Sequence, residues 1–358
     1  MRGSVRRYSP VILAAVLGSL LTADGPVIAD MVYDANNAHK VDGRHAVPAS
    51  TAISGRAGQL VATNARGRLP NDIIVQAPDA ELLDGLDSRA FERTLQRTVV
   101  IRAGGSAVTR GARLRQALQA IAAQDPPPSA QNTWLVRLEA GIYDLGDVGL
   151  AMVPFVDIEG SGRDITTIRC ACTGNNADES YTIAGADHAA LRSLGVVSTG
   201  GAFHTIGIYT PSGADTTVTD VRVRVSGAEV NNALLVFESS PRFTDVDALA
   251  NGGGADFGHN YGLYSQAGTP WIRDSVLVAS GGFVVNTAVS NIFSGTVRID
   301  GSSLRASGGS SPWAIDADSG TAVRVAATEV DGAVRRVGTV ACVAAYNAVY
   351  APLNETCD

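Results

Sequence analysis

Beyond residue 130 the chain is built of short apolar runs broken by glycine, proline and small polar residues. Trp134-Leu135-Val136-Arg137-Leu138, Phe155-Val156-Asp157-Ile158 and Thr166-Thr167-Ile168 are β-branched or aromatic runs bounded by turn residues, the pattern of short strands. One segment differs. Between about Thr109 and Ala123, Leu114, Ala117, Leu118 and Ile121 recur at the spacing of one helical face, and Asp125 followed by Pro126, Pro127 and Pro128 ends the run. Ahead of these elements, from Asp30 to about Gln96, the sequence is polar and broken and cannot build a core alone.

Downstream the pattern repeats. His204-Thr205-Ile206-Gly207-Ile208-Tyr209 resembles Asn260-Tyr261-Gly262-Leu263-Tyr264, and each is followed by a turn and another strand. Those second strands carry Asp220, Asp245 and Asp274, separated by 25 and 29 residues. Pro241, Pro270 and Pro312 each follow Ser or Thr and precede a strand, as though marking one corner of successive coils, where a missing amide costs the ladder nothing. A period of this size predicts a solenoid whose coils have no core of their own and are stable only when stacked. The competing architecture is a β-sandwich, which would show tighter two-residue turn signals.

The order of helix, strand, Glu139-Ala140-Gly141-Ile142-Tyr143, second strand, Glu159-Gly160-Ser161-Gly162 and Thr166-Thr167-Ile168 resembles the opening of pectinesterase-like proteins of the pectin lyase superfamily. The likeness covers Ala103 to Ile168. It implies an all-β, right-handed parallel β-helix whose N-terminal end is capped by the α-helix, and says little about activity. The segment from Ala77 to Phe91 resembles a connector of bacterial surface proteins and fibre-like phage proteins. It is read as an extended N-terminal stalk through which copies could homo-oligomerise, or else as an unstructured tether.

Arg2, Arg6 and Arg7 precede an apolar run from Val11 to Leu21, followed by Val27-Ile28-Ala29 before Asp30, the layout of a signal peptide. That run is about half the ~20 residues needed to cross a bilayer, so no membrane span is expected after cleavage. The domain reading is signal peptide 1–29, stalk or linker 30–96 and β-helix 97–358, with a secreted or cell-surface location. A net charge of −7 and a single lysine, Lys40, argue against nucleic acid as a partner. The arginines lie singly along apparent strands, as on a solvated face. Four cysteines in an exported chain suggest disulfides. Cys342 with Cys357 is the favoured bridge, while Cys170 and Cys172 are left open as a free pair, a strained bridge or partners of the other two.

Catalytic signatures of the resembled family are not matched. Asp256-Phe257-Gly258 echoes a pectin methylesterase segment but follows Gly252-Gly253-Gly254, and Thr269-Pro270-Trp271 lacks the arginine before proline. Gly258-His259 is followed by Asn260, and the only lysine is outside the body, so polygalacturonase signatures are absent. Two constellations are worth testing. Asp215, Asp220, Asp245 and Asp247 could converge on calcium from neighbouring coils, although solvated turns explain them as well. Asp245, Asp247, Asp256, His259 and Arg273 could share one face as acid, base and charge stabiliser, or be unrelated turn residues. Tyr209, Tyr261, Tyr264, Trp271 and Trp313 recur near turns, where exposed rings could stack on sugars and buried ones would pack the core. No cofactor is expected. The expectation is a carbohydrate-binding or structural β-helix engaging extracellular polysaccharide, with a polysaccharide-modifying esterase or lyase as the alternative.

Overall fold

The computed structural model describes residues 40–41, 44–48, 50–56, 59–63, 65–66, 82–83, 86–87, 97–172, 179–200, 203–254 and 257–358. The expected signal peptide and most of the expected stalk lie outside them. The chain divides into two units, within residues 1–90 and 91–358. In the first, Lys40–Val41 pairs antiparallel with Arg44–Val47, which pairs parallel with Leu60–Val61. Leu82–Leu83 pairs antiparallel with Leu86–Asp87.

The second unit is a parallel β-helix. Its strands form a fifteen-stranded sheet and an eight-stranded sheet, and every strand pairing in both is parallel. Each strand pairs with the corresponding strand of the coil above and below. Valines, leucines and isoleucines point inward coil after coil, as in the stack Leu191, Val218, Phe243, Ile272, Ile299 and Val325. The opposing sheet supplies Ile183, Ile208, Leu234, Leu263, Val289 and Ile315. Burial of these columns, at roughly 25 cal/mol per Å² of apolar surface, is what holds successive coils together.

The repeated aspartates mark a corner. Ser193, Asp220, Asp245 and Asp274 stand above one another in register with φ of 51°, 54°, 53° and 50°, and Gly301 and Ala327 continue the column. One left-handed residue turns each strand from one face of the long sheet to the next, and aspartate tolerates that conformation better than most side chains. The turn interrupts the backbone ladder, and hydroxyls repair it. Val246 N–H donates to Ser275 Oγ at 3.0 Å, Ser275 N–H to Ser302 Oγ at 3.1 Å and Ser302 N–H to Thr328 Oγ1 at 3.2 Å.

A second buried column is made of amides. Asn231, Asn260 and Asn286 are fully buried and hydrogen-bonded to one another across coils at 2.9 and 2.8 Å. Pro241 and Pro270 open successive strands at one corner, their carbonyls accepting from Trp271 N–H and Arg298 N–H at 3.0 Å. Pro312 does not join them. It lies inside Ser311–Ala317 of the eight-stranded sheet, in register with Asn286, where a residue that continues neither ladder closes the amide column.

The helix spans Ala107–Ala122, with Ser106 Oγ accepting from Thr109 N–H as its N-cap. Leu114, Leu118 and Ile121 are its buried face and join the core cluster, so the helix covers the first coil's open end. Arg110 ties it down by donating to the carbonyls of Ala103, Gly105 and Ile142. At the other end Cys342 is bonded to Cys357, closing the terminal loop, and Cys170 is bonded to Cys172. Among the described residues no helix is long and apolar enough to cross a membrane.

Candidate functional site

The outer face of the eight-stranded sheet carries the most distinctive surface. Strands His204–Thr210, Val230–Phe237 and His259–Gln266 lie side by side there. Strict alternation fails in each, because two consecutive residues, such as Gly262 and Leu263, both face inward. Leu263 packs in the core, and a Cβ on Gly262 would crowd the backbone of Ala288 and Val278 and the side chain of Leu277. Tyr261 and Tyr264, three residues apart, therefore both point out, with ring centroids 4.7 Å from one another.

The outward residues of these strands enclose a cavity of about 300 Å³. His204, Val230 and His259 form one wall, Asn232 and Tyr261 the floor, and Tyr264 and Gln266 the far side. Two atoms along this row are conspicuous. Asn232 Oδ1 and Thr287 Oγ1, on either side of Tyr261 in register, are buried without a hydrogen-bond partner. An unpartnered buried polar group costs on the order of 1–3 kcal/mol, so these atoms are poised to gain from a ligand that supplies hydroxyls.

The cavity is electrically quiet. Burial pushes the His204 and His259 imidazoles below their ordinary value, so both are neutral near pH 7. Burial, aided by the carboxylate of Asp316 and, for Tyr261, by Tyr264, raises the Tyr261 and Tyr264 hydroxyls, keeping them protonated. Tyr261 OH lies 3.4 Å from His259 Nδ1. Among the described residues no carboxylate or guanidinium lines the cavity. Asp316, in register beyond Tyr264 and Ser290, is neutralised by Arg335 through two contacts of 2.6 and 2.8 Å. The site can therefore donate and accept hydrogen bonds and offer ring faces, but it presents no net charge.

Of the five residues considered together as a catalytic group, the four that the structure describes are divided between the two sheets. His259 belongs to the eight-stranded sheet, whereas Asp245, Asp247 and Arg273 belong to the other. Asp245 is the left-handed corner residue, and Arg163 spans it and Asp220 at 3.1 and 3.3 Å. Asp247 sits two residues beyond the corner, held by Arg224 at 2.6 Å and Arg222 at 3.2 Å. Arg222 also pairs with Asp164. Arg273 turns to Asp274 at 3.1 Å. Asp256 lies outside the described residues. The separation follows from the corner itself, since a left-handed residue between two strand segments aims their side chains in different directions. The calcium alternative fares no better: Asp220, Asp245 and Asp247 are each committed to arginine, and among the described residues no group of three acidic, histidine or cysteine side chains converges.

No protein-family model and no curated protein matches the sequence. Solved structures do resemble the coordinates. The pectin methylesterase PemA from Erwinia chrysanthemi is 13% identical, covering 72% of this chain and 91% of that one, with a TM-score of 0.43. The ORF18 protein of Geobacillus virus E2 is 11% identical, covering 73% of this chain and 54% of that one, with a TM-score of 0.48. The A-module of the mannuronan C-5 epimerase AlgE4 from Azotobacter vinelandii is 16% identical, covering 71% and 79%, with a TM-score of 0.30. The fold shown by the strand pairing is a parallel β-helix. At such distances the likeness is one of fold and transfers no residue roles.

Within that β-helix, the five aromatic residues noted in the sequence divide by sheet. Tyr209, Tyr261, Tyr264 and Trp313 all lie on outward rows of the eight-stranded sheet, while Trp271 faces out from the other. Tyr209 packs with Ala184, Ile206 and Leu235 in a small apolar cluster beside the cavity. His204, Asn232 and Gln266 were not anticipated as site residues. The signal for Asn232 is the Asn231-Asn232 pair: one amide enters the core column, so its neighbour must face the other way.

Proposed function

We propose that the outer face of the eight-stranded sheet binds an extended extracellular carbohydrate, with one sugar residue seated in the cavity between His204 and Gln266. The observation that carries this reading is Asn232 Oδ1, buried without a partner on the floor of a neutral pocket walled by tyrosine rings and uncharged imidazoles. A sugar matches that lining, because it supplies hydroxyl donors to the Asn232 amide oxygen and the imidazole nitrogens and an apolar ring face to Tyr261 or Tyr264. Two disulfides support a location outside the cytoplasm, where thiols are oxidised.

Affinity electrophoresis of the full chain in gels containing a panel of neutral glycans tests the idea. At least one glycan should retard the protein, and Asn232→Ala and Tyr261→Ala should each weaken that retardation about tenfold, the equivalent of about 1.4 kcal/mol. Failure of every glycan, or retardation of both variants equal to that of the parent, would remove the proposal. Turnover of the retained glycan would replace binding by catalysis.

A further inference from the structure

A different face of the β-helix carries a row of arginines that have no acidic partner among the described residues. Arg242, Trp271, Arg298 and Arg324 occupy one register position on four successive coils of the long sheet, with Thr217 before them and Ala341 after. All four are exposed, and the alternating residues Phe243, Ile272, Val297, Ile299, Val323 and Val325 are core. Successive coils are about 4.8 Å apart, so the row is a straight line parallel to the solenoid axis.

Elsewhere on this sheet the chain pairs most of its arginines with carboxylates. Arg192, Arg222, Arg224, Arg273 and Arg305 each have an acidic partner within 4.0 Å. Among the described residues Arg242, Arg298 and Arg324 have none. Arg298 and Arg324 stand directly opposite each other in register, an arrangement of like charges that destabilises a sheet unless something compensates it. Asp300 follows Arg298 by two residues on the same strand, and its Oδ2 accepts from Trp271 Nε1 at 2.6 Å and so orients the indole. Beside the row an open depression of about 410 Å³ is lined by Arg298, Asp300, Arg324, Ala341 and Val343. Three guanidiniums against one engaged carboxylate give this line a positive charge on a chain whose net charge is −7.

We propose that this row is a second binding site, distinct from the neutral cavity, for a linear glycan bearing carboxylate or sulfate groups. Guanidiniums take such oxyanions through paired N–H donors. The indole of Trp271, held edge-on by Asp300, offers a flat face to a sugar ring between charged contacts. A single-stranded nucleic acid is the other linear polyanion with stackable rings. It is disfavoured because the row supplies one aromatic residue rather than a succession of them, and because the disulfides place the chain where glycans are the abundant polyanions.

Affinity electrophoresis of the full chain with sodium polygalacturonate, dextran sulfate, uncharged dextran and a single-stranded oligothymidylate decides the matter. The expected result is retardation by polygalacturonate or dextran sulfate, fading as sodium chloride rises, and none by dextran at this site. The ratio between the two charged glycans reports which anion is preferred. Arg298→Gln combined with Arg324→Gln should weaken retardation about tenfold, while Tyr261→Ala leaves it unchanged, which separates this site from the cavity. The double variant should melt no lower than the parent, because a like-charge pair has been removed. Should it fail to fold, Arg242→Gln and Trp271→Ala singly serve the same purpose. No retardation by either charged glycan, equal retardation of parent and variants, or stronger retardation by the oligothymidylate overturns the proposal.

Discussion

Asn260 donates through Nδ2 to Asn286 Oδ1 at 2.8 Å in a position with no access to solvent. The same amide accepts from Asn231 Nδ2 at 2.9 Å and donates to the carbonyls of Gly252 and Ser280 at 2.6 and 2.8 Å. One side chain thus satisfies polar groups on three coils and on the glycine-rich turn. Asn260→Ala leaves several of them unpaired in the core, and at roughly 1–3 kcal/mol for each orphaned group the loss should reach about 3 kcal/mol or more. Urea unfolding monitored by far-UV circular dichroism measures it. A loss below about 1 kcal/mol would show that the column does not hold the coils together.

The corner network predicts a response to acid. Burial raises the Asp247 carboxyl, but the hydrogen bonds and charge of Arg224, with those of Arg222, outweigh it and leave the group below its ordinary value of 3.8. A carboxyl depressed in the folded state contributes its full stabilisation above the unfolded value and loses it as pH falls below 3.8 toward the folded value. Asp247→Asn should therefore cost roughly 1–2 kcal/mol at pH 7 and much less near pH 3. A difference between parent and variant that is the same at both pH values would contradict the assignment.

The helix that caps the first coil gives a case where sterics and propensity oppose each other. Gly111 lies on its buried face, where an added Cβ would overlap the backbone carbonyl of Asp144. Alanine is favoured over glycine in a helix interior by about 1 kcal/mol, yet here it must push the helix off the coil. Overpacking of this kind costs about 1–3 kcal/mol, so Gly111→Ala should destabilise despite its better propensity. A raised thermal midpoint would mean that the helix can shift freely at that end.

What the sequence reveals of this fold depends on whether a residue answers to its own coil or to its neighbours. Asp220, Asp245 and Asp274 disclose the coil length because a left-handed corner restricts residue type at one position per turn. The helix face from Leu114 to Ile121 is legible for the same local reason. The amide column was equally periodic, with Asn231, Asn260 and Asn286 separated by 29 and 26 residues, but buried asparagine is rare enough that the spacing did not attract notice. The candidate site was legible only in pieces. Tyr261 and Tyr264 stood out as aromatic residues, yet alternation would put them on opposite faces, and only the paired inward residues Gly262 and Leu263 place them together. The grouping of His259 with Asp245, Asp247 and Arg273 rested on sequence proximity, which a solenoid with several faces does not convert into spatial proximity.

The two histidines of the cavity predict how binding depends on pH. Burial lowers both His204 and His259 from the ordinary 6.5, and among the described residues no carboxylate lines the cavity to favour the charged forms. Above pH 6.5 each ring is neutral in both folded and unfolded protein, and the full stabilisation of the neutral form is present. As pH falls below 6.5 the unfolded chain takes up protons first, so stability declines until the folded rings are also charged. Glycan retention in the cavity should follow the same course, level above pH 6.5 and falling below it, since an imidazolium can no longer accept a hydroxyl proton and brings an unpaired charge into the pocket. His259→Gln combined with His204→Gln keeps neutral hydrogen-bonding groups in place and should flatten the profile between pH 5 and 7, the range over which an ordinary histidine titrates. Affinity electrophoresis across that range checks it. A profile that stays pH-dependent in the double variant would assign the titration to groups outside the cavity, and one that rises toward acid in the parent would reverse the roles given to the imidazoles.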